Sequence, residues 1–282
     1  MTSSPRLTEH VSTAGERAAR PRRSPLARLD VVPAGLLLFV ILVPLAAMVW
    51  RAAASGTFWS SLAKPIVREA LQLSAITTGI TLVIAFIVGT PLALLLARHR
   101  FPGKHLVETV IDLPLVLPPV VAGIALLLAF GRRGLLGEQL TWLGVSLPFT
   151  TAAVVIAQVF VSVPFYVRSA KVGILAVPQD IEEAAAVDGA AAWAIFRDVT
   201  FPLALPGLAA GTVLCWARAL SEFGATLLFA GSFQGRTQTM PLAIMAAYSS
   251  DLDAALAVAV LLLVLSAGVL LIARYGLRAS VA

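Results

Sequence analysis

Six stretches of the chain hold no Asp, Glu, Lys or Arg: residues 31–50, 70–97, 113–131, 139–167, 199–217 and 254–273. A helix rising about 1.5 Å per residue needs about 20 residues to cross a hydrocarbon core ~30 Å thick, and each stretch meets that length. Lipid offers backbone amides no water, so only closed hydrogen-bonded structures cross it, and these runs lack the short alternating segments of a barrel. The runs predict an all-α membrane protein with six transmembrane helices, at about 32–50, 70–97, 110–130, 149–167, 203–230 and 254–273. Composition agrees, since 13% of residues are charged, against about a quarter in soluble domains.

Six crossings put both termini on one side. Arg6, Arg17, Arg20, Arg22, Arg23, Arg28, Arg98, Arg100, Lys104, Arg168, Lys171, Arg197, Arg274 and Arg278 fall on that side. Arg51, Lys64, Arg68, Arg132, Arg133 and Arg236 fall on the other, with Arg218 inside the fifth run. The positive-inside rule makes the richer side cytoplasmic, which predicts a multi-pass plasma-membrane protein with both termini in the cytoplasm. Residues 1–30 mix Ser, Thr, Pro, Arg and Ala without period and read as a disordered tail. Its basic residues suit anionic lipid headgroups, at about 1 kcal/mol each, and no nucleic-acid partner is expected. A secretory signal is the rival reading of the tail and first run, because "AAASG" follows; the length of both favours a retained span. Cys215 is the only cysteine, which excludes an internal disulfide and suggests packing.

Between the fourth and fifth runs lies a polar segment, "EEAAAVDGAAAWAIFRDVTFP", residues 182–202. Asp180 is placed to cap a helix of about eight residues, with Glu183 at the capping-box position and Gly189 as a left-handed stop. A second short helix should follow and end at Pro202. So short a helix is not stable alone in water and must be held by neighbours or by a partner.

The order Glu183-Ala184-Ala185, three residues, Gly189, nine residues, then Val199, Phe201 and Pro202 resembles the EAA loop of importer-type ABC permeases, here residues 178–202. Val199 and Phe201 replace the family's Ile and Leu. The resemblance implies a type I ABC importer (MetI-like) permease fold whose loop helix is a coupling helix seated in a separate ATPase subunit. Ala184 and Ala185 would then permit close approach, Gly189 would turn the chain, and Ile181, Trp193 and Phe196 would offer apolar area. Glu183 would meet a cation or a helix N-terminus. The chain contains no Gly-x-x-x-x-Gly-Lys-Ser/Thr phosphate cradle; "FPGKH" at 101–105 has only the Gly-Lys pair. No cofactor is therefore expected in this chain, and ATP and magnesium would belong to the ATPase subunit. One coupling motif per chain, against ATPases that work in pairs, implies a homodimer, with a heterodimer as the alternative.

Two spans differ from the rest. Pro114, Pro118 and Pro119 open the third, where missing donors and ring clashes should bend or break the helix. A pathway wall and a kinked packing helix both remain open. Arg218 and Glu222 in the fifth span sit one helical turn apart and should point inward, because lipid exposure costs about 2.5 kcal/mol or more each; a structural ion pair and a pathway role both remain open. Gly207 and Gly211 form a small-residue face for close contact, within the subunit or across a dimer axis.

"FPGK", "LPLVLPPVV", "GRRGLLGE" and "ARALSEFGATLLFAG" resemble the molybdate branch of the molybdate/sulfate permeases, over about residues 70–273. The resemblance implies an extracytoplasmic molybdate-binding protein as a further partner, with Arg132, Arg133 and Arg236 supplying outer positive charge for the anion or for that protein. Ser221 stands where that branch usually has glycine, and the first span is an addition. Sulfate permeases share the Arg218 to Gly224 pattern, so sulfate/thiosulfate and tungstate remain alternatives. From other classes, an ion-gradient-driven transporter would call for paired broken helices in an internal repeat, and no convincing repeat is seen. A membrane enzyme would need a catalytic cluster; His10, His99 and His105 lie in the tail or a connection, and no catalytic or metal residue is assigned.

Overall fold

A computed structural model describes residues 31–279. The tail at 1–30 and the last three residues lie outside the described residues. In chain order the helices are α1 (Val31–Ala54), α2 (Phe58–Leu62), α3 (Pro65–Arg98), α4 (Lys104–Val116), α5 (Pro119–Phe130), α6 (Gly137–Trp142) and α7 (Thr151–Leu175). They continue as α8 (Gln179–Val187), α9 (Ala192–Ile195), a π-helical turn (Phe196–Thr200), α10 (Phe201–Leu220), α11 (Gly224–Ala230), α12 (Met240–Tyr248) and α13 (Leu252–Ala279). No strand occurs among the described residues. Five helical segments are long and apolar enough to cross a membrane, and a sixth arises if α4 and α5 form one broken span.

Contacts divide the chain into two compact units, up to Ala47 and from Met48 onward. The described part of the first is the apolar start of α1, where Leu36, Phe39 and Val40 are exposed, as suits a lipid-facing helix. The second is built around α7. One flank of α7 packs with α3 and α10 through Ala93, Leu96, Ala170, Ile174, Ala204 and Leu208. Another packs with α5 and α11 through Ala122, Leu126, Val154 and Phe229. A third cluster joins α3, α12 and α13 through Val67, Ala70, Met240, Ala243 and Val258.

Lipid tails are as apolar as leucine, so helix association here depends on close packing and interhelical hydrogen bonds. Alanine-rich interfaces supply the closeness. A Cβ on Gly173 would stand 2.8 Å from the Gly207 Cα, so α7 and α10 touch backbone to backbone. Gly211 lies against Tyr166 of α7, which places the small-residue face of α10 within the subunit. The Ser169 hydroxyl donates to the Gly207 carbonyl at 3.0 Å across the same contact. Thr81 of α3 donates to Gln158 Oε1 at 3.1 Å, and Gln158 Nε2 donates to the Ala219 carbonyl at 3.1 Å, so one buried amide ties α3, α7 and α10.

Two of the expected spans are broken. α4 and α5 meet at 118°, with the break at Leu117 and Pro118. Pro119 begins α5, where its missing N–H costs nothing and its fixed φ suits a first helical position. Pro114 sits inside α4 and does not end it. The stretch expected as the fifth span, 203–230, is also interrupted: α10 stops at Leu220 and α11 starts at Gly224. Arg218 and Glu222 therefore do not share one helix face as expected, because Glu222 lies past the C-terminus of α10.

Candidate functional site

α8 begins at Gln179 with Pro178 as its N-cap residue. The expected cap, Asp180, is instead the second helical residue, and no side-chain cap bond forms. Proline before the helix fixes an extended entry, leaving the acids to act through the helix dipole, which favours negative charge in the first turn. The other end matches its expectation. Gly189 has φ +88°, and the amides of Gly189 and Ala190 donate to the carbonyls of Ala186 and Ala185, the paired bonds of a Schellman stop. A Cβ at Gly189 would meet nothing within 4 Å, so the need for glycine is conformational.

No residue of α8 is buried. Ile181 is 44% exposed and Val187 87%. Glu183 and Ala184 are exposed and Ala185 is half-buried. Trp193 of α9 is 68% exposed, and its ring lies 5.5 Å from that of Phe196. Phe196 is half-buried and runs on to Phe201 at 6.1 Å, and Phe201 to Phe86 of α3 at 6.2 Å. An aromatic chain thus leads from the loop into the helical body. The second loop helix does not end at Pro202: Ala192–Leu220 is one continuous span, with the π-helical turn absorbing one extra residue and Pro202 tolerated in the first turn of α10.

Of the adjacent acids, Glu182 is the one that meets a cation of this chain. About 100° separates neighbours on a helix, so both cannot face the same way. Glu182 turns inward to Arg98 at 2.9 Å and Thr200 at 2.6 Å. Nothing in the motif marks Arg98 or Thr200; the doubled acid was the only available sign that one carboxylate needs an internal partner.

The two broken spans meet deeper in the protein. A Cβ on Gly224, the first residue of α11, would stand 2.9 Å from Pro119 Cβ and 3.2 Å from the Val120 amide, so the break after α10 lies against the break before α5. Glu222 lies in this junction with its side chain fully buried, and Arg218 Nη1 approaches its Oε2 at 2.6 Å. The contact is an ion pair, and among the described residues Glu222 Oε2 accepts no hydrogen bond. Glu222 Oε1 accepts the Ala225 amide at 2.7 Å, which fastens the start of α11. Of the five residues assigned to a pathway, Pro118, Pro119, Arg218 and Glu222 fall at or beside the two breaks, and Pro114 lies a turn away within α4.

At the far end of α7, Arg132, Arg133 and Arg236 are exposed. Gly131, Gly134 and Gly137 let the chain fold back on itself there: the amides of Leu135 and Leu136 return to the carbonyls of Leu128 and Ala129 at 2.9 Å. A Cβ on Gly137 would collide with the Gly131 carbonyl.

The family described as "Binding-protein-dependent transport system inner membrane component" matches residues 89–278. The chain belongs to this family. The matched region takes in the α8 loop and both breaks and leaves out α1 and most of α3. Within the family, the "Molybdenum transport system permease protein ModB" of Mycobacterium tuberculosis is 48% identical over 214 residues, covering 76% of this chain and 81% of that protein. The protein of the same name from Escherichia coli K12 is 42% identical over 177 residues, covering 62% and 77%. Among solved structures, a bacterial ABC transporter involved in the import of the acidic polysaccharide alginate aligns with a TM-score of 0.72, covering 90% of this chain and 95% of that one. At 17% identity it speaks for the fold alone. That fold is the ABC importer permease fold, and the family is a membrane component of transporters.

Proposed function

We propose that this chain is the membrane-spanning permease subunit of an ATP-driven molybdate importer. The observation that carries the reading is 48% identity over 214 residues to a molybdenum transport permease. The permease sits in the plasma (inner) membrane with both termini cytoplasmic and works as a homodimer. An extracytoplasmic molybdate-binding protein delivers the anion, and Arg132, Arg133 and Arg236 provide positive charge where it arrives. A separate ATPase subunit binds ATP and magnesium and seats α8 in its surface.

The exposure of the loop supports that seat. Ile181, Val187 and Trp193 present apolar area, and Glu183 presents a carboxylate that makes no hydrogen bond or ion pair among the described residues. The paired breaks at Pro118–Pro119 and 221–223 suit a pathway constriction, since non-helical backbone at membrane depth needs protein or a wet cavity around it. Arg218, Glu222, Pro118 and Pro119 line it, with Pro114 bordering.

Uptake of labelled molybdate by cells carrying the intact transporter, competed by tungstate and by sulfate, tests the substrate. Tungstate should compete and equimolar sulfate should not; equal competition by sulfate would move the chain to the sulfate branch. Glu183→Arg should abolish copurification with the ATPase or transport while the chain still inserts, and retention of both would defeat the coupling assignment.

A further inference from the structure

α8 is nine residues long and buries none of them, yet it is tied to the end of α3 and to the π-helical turn ahead of α10. Among the described residues, the only side-chain hydrogen bonds joining α8 to other elements converge on one atom, Glu182 Oε1. Arg98, the last residue of α3, donates to it through Nη2 at 2.9 Å. Thr200, which closes the π-helical turn ahead of α10, donates its hydroxyl at 2.6 Å. The same Arg98 nitrogen donates to the Val177 carbonyl at 3.0 Å, in the turn that leads into α8.

The site is half-sheltered. The Arg98 and Glu182 side chains are 12% and 17% exposed, and Thr200 is buried. Beside them lies a cavity of 390 Å³, also lined by His99, Gln179 and Glu183. A cation at the C-terminus of α3 and an anion in the first turn of α8 each complement a helix dipole, and both hydrogen bonds are charge-assisted, while the buried Arg98 Nε has no partner among the described residues. The π-helical turn takes part as well, since Thr200 is its last residue.

We propose that Glu182 is a positioning residue for coupling, a carboxylate yoke through which displacement of α8 pulls the ends of α3 and α10 together. α10 then carries the movement along one continuous helix to the break at 221–223, against Pro119. The inference rests on the reading of α8 as the coupling helix but assigns a different duty to a different residue: Glu183 faces the partner, whereas Glu182 faces the spans.

The test uses the whole transporter, reconstituted with its ATPase and binding protein, and compares Glu182→Ala, Arg98→Ala and Glu182→Asp with the unaltered chain. Both alanine variants should copurify with the ATPase and keep its basal hydrolysis, while molybdate moved per ATP falls about tenfold, within the span typical of site-to-site coupling. Glu182→Asp, which keeps the charge, should recover most of that loss. Unchanged transport per ATP in both alanine variants would overturn the proposal. Loss of ATPase copurification in them would also overturn it, since the yoke would then only shape the loop. Failure of the unaltered chain to copurify would overturn the coupling-helix reading itself, a result distinct from either.

Discussion

Glu222 shares one carboxylate between Arg218, at 2.6 Å, and the Ala225 amide, at 2.7 Å. Removing a buried partner leaves the other charge without compensation, which costs about 3–5 kcal/mol, the cation being partly open here and so toward the lower end. Glu222→Ala should therefore lower the thermal unfolding midpoint of the purified transporter markedly. Glu222→Gln, which still accepts from Ala225, should lower it less; equal midpoints for all three proteins would show that the pair contributes nothing. That these two residues turn inward was legible from their cost in lipid. That Glu222 lies past a helix end was not, because "SEFG" contains no proline and only a modest glycine signal. Glu182 and Glu183 teach the same lesson: composition identifies the acid pair, whereas the division of labour depends on Arg98, 84 positions away along the chain.

Among the elements, apolar runs foretold the long helices well and their limits poorly. α7 continues to Leu175, so Arg168 and Lys171, expected in a connection, ride on its last turns, and Lys171 pairs with Glu108 of α4 at 2.6 Å. Polar residues extend a helix readily once its apolar part is packed. α12 was not foreseen because nine residues are too few to register as a span. The start of α3 and the start of α13 are joined by Lys64 and Asp251 at 2.6 Å, and Asp251 also accepts the Ala254 amide at 3.0 Å as a helix cap. The Lys64 ammonium, and then that amide, hold the Asp251 carboxyl below the usual carboxylate range. A depressed folded value means that the contribution is complete above about pH 4, near the unfolded carboxyl, and is lost as pH falls through the lower folded value. The unfolding midpoint of the unaltered protein should thus fall more steeply below about pH 4 than that of Asp251→Asn; parallel curves would contradict the assignment.

At the scale of the molecule, a helical body with two abutting breaks connects to a small exposed helix by one half-buried carboxylate and one continuous span. The all-helical membrane class was readable because lipid permits few solutions, and the six expected spans compare with five long apolar helices and one bent pair. The meeting of the two breaks was not, since it depends on Gly224 approaching Pro119 across more than a hundred residues of chain. The central claim is that work done by a separate ATPase drives molybdate through this chain. It is tested most directly by measuring labelled molybdate accumulation in sealed vesicles containing the purified chain, with and without the ATPase, binding protein and ATP. Accumulation above the outside concentration should appear only with all of them, and accumulation by the chain alone would contradict the account.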